Sequence, residues 1–471
     1  MTATGFQLPN GQVASYEWGS YCITLLTALD ADKDAVPELL AAFAQRAANW
    51  SDAHEFERTV AILHEAVHCL QDLTTGVGLW DYTLAEDCWP DVVVELRRNS
   101  RNTPFGTRVP PERVLRYQAW QDKGFVPQSK ATAAQRARNL RERIAIVPDI
   151  RLTGEDAYAI ERLLEADAVM QVHLIFESLK KGTSQVDAML GNLELWSAPH
   201  MAEDYQGVFY DVIEVVRGWA DADRVPLSND LIRTAMMLTI VLIDISLAHP
   251  SPSFVAGSGL DLEDHDPGLK FLLLLASLSK LDTASTGALV QALPARDMTR
   301  VEEILLADCA LPYATSRAIY EDWLVLLRER QRGRGDRVVE LRIKALEARV
   351  EDPSRFLIKS IAAFFESELP LIIVNRGGYR MTSMGPHYLL SEARFELVED
   401  IGLDQSCRRF AHSYVEGSPM VCARAELDIC GCRDALCTQG LRVAKDFPAG
   451  SGCSIRTWAG LTGLATLFKV D

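Results

Sequence analysis

His64-Glu65-Ala66-Val67-His68-Cys69-Leu70-Gln71-Asp72 is the stretch on which the reading of this chain turns. From Val60 to Leu70 every residue except His64, Glu65 and His68 is apolar, with Cys69 counted as apolar. A helix over 55–73 written this way is buried nearly all round. Residues at i and i+4 project from one face of a helix, a turn apart. Two imidazoles at that spacing can reach one tetrahedral ion, and the glutamate between them points beside the ion rather than at it. Glu65 is then placed to take a proton from water activated there. Burying a carboxylate and two imidazoles without partners costs several kcal/mol, on the order of what one lost ion pair costs. A metal ion removes that cost. The plain alternative is a pair of hydrogen-bonded core histidines beside a salt-bridged glutamate.

The rest of the chain supplies the frame. It has 471 residues, 48% hydrophobic and 24% charged, enough for two or three domains with large cores. A net charge of −17 argues against nucleic acid and anionic lipid as partners. MTATGFQLPN lacks the charged and apolar regions of a signal peptide, so a cytoplasmic location is expected. The apolar runs at 236–248 and 271–281 contain Asp244 and Lys280 and fall short of the ~20 residues a spanning helix needs. Both are expected as buried helices, and no membrane contact is expected.

The expected fold class is mainly α with a small β component (α+β). A metal-bearing helix pair is joined by further helices and a cysteine-rich C-terminal tail. The expected divisions are 1–200, with a proline-punctuated insertion at 86–150; a helical region at 201–400; and a segment at 401–471. A strand or two is expected within 12–30, and another at Pro370 leading into a turn. Helices are expected at 33–49, 55–73, 156–180, 208–220, 228–248, 267–281, 299–308, 315–331, 336–350 and 354–367.

The motif resembles that of the zincin metallopeptidases, and among them the gluzincins, whose third ligand is a glutamate on a later helix. The longer string through Gln71 and Asp72 is also similar to bacterial metalloprotease-like proteins with a glutamine after the motif. Thr74 and Gln71 stand where the metzincin branch has its third histidine and its glycine, which sets that branch aside. The resemblance implies a third ligand in Glu161-Arg162-Leu163-Leu164-Glu165-Ala166-Asp167-Ala168. Glu165 is the better candidate because small residues follow it and let two helices approach. Glu161, one turn earlier, is the alternative. Asp167 is expected on the opposite side of that helix. A residue assisting the transition state is sought in His173, two turns beyond Glu165; Tyr158, His200, Tyr205 and Tyr210 are weaker candidates.

These readings give a zinc-dependent hydrolase acting on a peptide or protein, with Glu65 as base. Two alternatives stand beside it. The same donor set can hold non-haem iron in a peptide-modifying oxygenase, and the metal helix can belong to a non-catalytic scaffold. Nothing in the sequence speaks to oligomeric state.

Six of the ten cysteines fall between Cys407 and Cys453. Cys430, Cys432, Cys437 and Cys453 are expected to lie together around a second, structural metal, with His412 as a spare ligand. In an oxidising compartment they would form disulfides instead. Thiol titration of the native chain checks this: four rapidly reacting tail thiols, with no bound metal and no disulfide, would defeat both versions.

Overall fold

The computed structural model describes residues 7–8, 11–12, 14–16, 22–25, 53–83, 86–87, 160–179, 206–219, 229–332, 336–356 and 372–375. This part of the chain is mainly helical. The motif lies on α1, Ala53–Thr74, which is followed by a bend at Thr75 and a second helical run over 76–83. Next come α2, Ile160–Leu179; α3, Gln206–Trp219; α4, Asn229–Leu247; and α5, Pro252–Ser258. The chain continues through α6, Pro267–Ser279; α7, Thr283–Ala295; α8, Met298–Ala307; α9, Ser316–Gln331; and α10, Arg337–Glu351. Two short strands, Ala14–Tyr16 and Cys22–Leu25, pair antiparallel, and Ile372–Asn375 joins the second in parallel.

Local chemistry explains the helix starts. Ser251, Asp266, Asp282, Asp297, Thr315 and Asp336 each accept a hydrogen bond from a first-turn N–H, the usual role of an N-cap side chain. Pro252 and Pro267 occupy first helical positions, where the missing N–H costs nothing. Helices α5 and α7, and the 3-10 turn Leu262–His265, are not among the expected elements. They are short or lack an apolar stripe.

Apolar burial then arranges the helices. Helix α2 packs on α1, α3 and α4, and α4 also meets α3 and α6; α10 packs on both α1 and α9. Both apolar runs that raise the membrane question sit in this core: 240–250 and Pro267–Leu278 are buried throughout. Among the described residues no single helix is long and apolar enough to cross a membrane; one pair, Asp230–Leu247 with Pro252–Ser258, passes by length and composition but bends by 91°. The chain beyond α1 meets the α4–α5 connection closely. A Cβ on Gly76 would lie 2.1 Å from the His249 backbone N and O, so only glycine fits there.

The last turn of α1 leaves carbonyls that need donors. Thr75 supplies its N–H at 3.0 Å and its hydroxyl at 2.6 Å to Gln71 O. Arg342 Nη1 donates to Asp72 O at 2.6 Å, and Arg349 Nη1 to Thr74 O at 3.3 Å. Two arginines of α10 therefore close the end of the motif helix, where a positive charge also suits the helix dipole. Arg342 is itself fully buried, pairs with Asp72 Oδ1 at 2.9 Å and stacks over Tyr82. Tyr16 donates to the other Asp72 oxygen at 2.8 Å. Arg349 pairs with Asp244 on α4 and stacks over Tyr320.

A third buried cation, Lys270, donates to Ala248 O at 3.3 Å and lies over the Tyr313 ring. Burial pulls its pKa down from 10.5 to about 8, against the opposing pull of Glu302, Cys309 and Asp244. The unfolded chain then holds more protons between those two values, so this group makes stability rise with pH from about 8 to 10.5.

Two outcomes follow for stability. Replacing Arg342 by Met leaves the Asp72 carboxylate buried without its cation and lowers the urea-unfolding free energy by roughly 3–5 kcal/mol. Replacing Lys270 by Met flattens a rise in stability of about 3 kcal/mol between pH 8 and 10.5. An unchanged pH profile would show that Lys270 is not the group responsible.

Candidate metal centre

Helix α1 is placed so that its polar triplet has no solvent side: His64 and Glu65 are 0% exposed and His68 is 1% exposed. Facing it, α2 offers small residues, Ala166 and Ala168, both fully buried, on either side of Asp167. Their size lets the two helices come close, and Glu165 reaches across. His64 Nε2 lies 3.1 Å from Glu165 Oε2, His68 Nε2 lies 3.4 Å from Glu165 Oε1, and the two Nε2 atoms are 3.1 Å apart. The rings meet edge to face, with centroids 4.7 Å apart.

These separations test whether an ion fits. Ligands at ~2.0–2.1 Å in a tetrahedron have edges of about 3.3 Å. The two Nε2 atoms, 3.1 Å apart, and each ring's distance to its own Glu165 oxygen, 3.1 Å to Oε2 and 3.4 Å to Oε1, are close to that value, and with one atom from each residue the donors lie within 4.8 Å of one another. Both imidazoles turn their Nε2 atoms, not their Nδ1 atoms, toward the shared point. His64, His68 and Glu165 together could hold a metal ion, and they are the one such group among the described residues. A His₂Glu set suits several divalent ions.

The electrostatics of the protein alone are those of an ion pair. Burial opposes charge on His68, but the Glu165 carboxylate, with help from Glu65 and Gln71, overcomes it and lifts the pKa from 6.5 to about 9. Burial would raise the Glu165 pKa; the two histidines outweigh it and hold the carboxyl well below the usual carboxylate range. The donor set therefore carries an ionised carboxylate already aimed at the imidazoles.

Behind these three donor residues, Gln71 joins the two helices. His68 Nδ1 donates to Gln71 Oε1 at 2.8 Å. Gln71 Nε2 donates to Leu164 O at 3.0 Å and to Asp167 Oδ2 at 2.7 Å. Gln171 Nε2 also donates to Asp167, at 3.2 Å. Asp167 is thus turned toward α1, not to the far side of its helix as the residue spacing suggests; the long Gln71 side chain reaches round to meet it. Burial raises the Asp167 pKa to about 7, the two amides opposing.

The other sequence-derived candidates divide clearly. Glu161 is exposed, outside the group that Glu165 joins. His173 is buried on α2 with Nδ1 donating to Val169 O at 2.7 Å, and it is not a member of that group. Tyr210 is half-buried on α3. Tyr158, His200 and Tyr205 lie outside the described residues, as do Cys407, His412, Cys422, Cys430, Cys432, Cys437 and Cys453. Cys69 is a buried core residue. Gln71 and Asp167 are the site residues that the motif spacing does not mark.

Comparison with known proteins gives no match: no family model, no curated protein and no solved structure matches this chain.

The geometry yields an expected outcome for the third ligand. Glu165→Ala lowers metal affinity by at least tenfold, whereas Glu161→Ala leaves it unchanged, as read by chelator competition. Equal losses in the two variants would return Glu161 to the ligand set.

Proposed function

We propose that this protein is a zinc-dependent hydrolase, with a peptide or protein as its substrate. The observation that carries the reading is the convergence of the two Nε2 atoms and the Glu165 carboxylate, with donor atoms of the three residues within 4.8 Å of one another and Glu65 buried in the same helix. Three protein ligands leave a fourth position open, the arrangement of catalytic rather than structural zinc. When bound, the ion would supply Lewis acidity, lowering the pKa of a coordinated water and polarising a carbonyl.

The chain's own residues would do the rest. His64 and His68 would hold the ion as neutral imidazoles, and Glu165 would supply the one negative charge in the ligand set. Glu65 follows His64 directly and precedes His68 by three residues, so it sits beside the ligand face. It lies near enough to His68 to help raise its pKa. Glu65 would accept the proton of the attacking water and deliver it to the leaving amine. The resemblance of the motif to the zincin type supports the same assignment. Glu165 is the most exposed of the three donor residues, its side chain 16% exposed.

Metal analysis of the purified chain tests the site. About one zinc per chain is expected, and His64→Ala should lose it. Glu65→Gln should keep the zinc and reduce cleavage of a peptide library by roughly 10²–10⁴-fold, the usual contribution of a general base. Iron in place of zinc with an Fe(II)-dependent activity would overturn the hydrolase reading in favour of an oxygenase. A Gln variant that cleaves as fast as wild type would remove Glu65 from the mechanism.

A further inference from the structure

We infer that Gln71 is a positioning residue for the metal centre: its carbonyl oxygen fixes His68 with Nδ1 protonated, so that Nε2 presents its lone pair to the ion. This rests on the proposed metal site and adds to it a residue outside the H-E-x-x-H pattern.

The orientation of the Gln71 amide decides the matter. Its two ends differ only in whether they donate or accept, so the surrounding groups choose between them. On the α2 side stand two acceptors, the Leu164 carbonyl at 3.0 Å and the Asp167 carboxylate at 2.7 Å. A flipped amide would set an oxygen against the Leu164 carbonyl, which can only accept. The NH₂ group therefore faces α2 and the oxygen faces His68. An amide oxygen can only accept, so His68 Nδ1, at 2.8 Å, must carry a proton. Among the two nitrogens of a neutral imidazole, that leaves Nε2 as the one with a lone pair. Nε2 is the atom that lies 3.1 Å from His64 Nε2 and 3.4 Å from Glu165. The two ends of Gln71 thus do separate jobs. The oxygen sets the tautomer and ring angle of one ligand. The nitrogen ties that ligand to α2, one residue before the third ligand and again two residues after it. Gln71 is 3% exposed, so solvent does not compete for either end.

Two substitutions separate these jobs. Gln71→Leu removes both the acceptor and the donors. Gln71→Glu removes the donors to Leu164 and Asp167 but keeps an oxygen for His68 Nδ1. The full-length chain is stripped of metal, then zinc affinity is measured by chelator competition and the Co(II) absorption spectrum is recorded. Gln71→Leu should bind zinc about 10–100-fold more weakly than wild type, the usual effect of removing an outer partner of a ligand histidine. Its Co(II) bands should shift, since the His68 ring is no longer held. Gln71→Glu should recover most of the affinity and the wild-type Co(II) spectrum, while sharing with Gln71→Leu any loss in the melting temperature of the metal-free protein. Equal affinity and spectra in the two variants, whether both wild-type or both impaired, would overturn the inference while leaving the metal site standing. If wild type and His68→Ala alike fail to take up zinc or cobalt, the metal site falls and the role of Gln71 falls with it.

Discussion

The arrangement of this protein depends on a helix that is buried throughout 63–69 yet carries two imidazoles and a carboxylate within five residues. Taking such groups out of water costs several kcal/mol per ion even after relaxation. The fold answers with one opposite charge placed at the point where both rings converge. Glu165 stands between His64 and His68 at hydrogen-bond range, and its carboxylate favours the charged form of His68. A divalent ion at the same point would replace the proton and meet the same three donors. The site is thus stable as an ion pair and arranged for a metal, which explains how so polar a cluster can sit in the core.

That convergence requires α1 to be fixed in rotation and in height. Three carboxylates set it, each from a different direction. Glu165 takes the histidines, Asp167 takes the Gln71 amide, and Asp72 turns to Arg342 and Tyr16. A one-residue slip would turn the helix by about 100° and break all three. The arginines of α10 add a stop at the end, since they cap the Asp72 and Thr74 carbonyls while pairing with side chains on α1 and α4. Buried pairs of this kind contribute little net stability compared with apolar packing. Their geometric demand gives the motif helix a single seat.

Sequence alone made the local part of this legible. The histidine pair shows because its chemistry lies within one turn of one helix. Glu165 shows because Ala166 and Ala168 follow it, and close helix packing needs small residues. The apolar runs at 236–248 and 271–281 show as buried helices because polar groups interrupt them too early for a membrane span. What stayed hidden depends on reach and on distance along the chain. Asp167 was placed on the far side by the direction of its Cα–Cβ bond, a rule that takes no account of a long partner such as Gln71. Arg342 and Arg349 sit in a helix rich in charge, and nothing within α10 marks them as partners of Asp72 and Thr74, which lie far away in sequence. Helix α7 begins at a readable cap, Asp282, but Thr283–Ala295 has no apolar stripe to extend the signal. The tail cysteines lie outside the described residues, so their expected convergence remains an expectation from spacing.

The polar contacts also explain why the two helices of the site meet where they do. Ala166 and Ala168 permit close approach of α1 and α2, but small residues alone leave the relative height of two helices loosely set, because apolar contact is non-directional. Hydrogen bonds are directional, and an amide has two unlike ends. Gln71 uses both ends at once: its oxygen faces the ligand on its own helix, and its nitrogen faces a backbone carbonyl and a carboxylate on the other. A slide of α2 by one turn, about 5.4 Å, would break both of the donor contacts. The same contacts that choose the His68 tautomer therefore choose the height at which Glu165 arrives. Ligand orientation and helix register are settled by one side chain, which ties the chemistry of the centre to the packing that holds it.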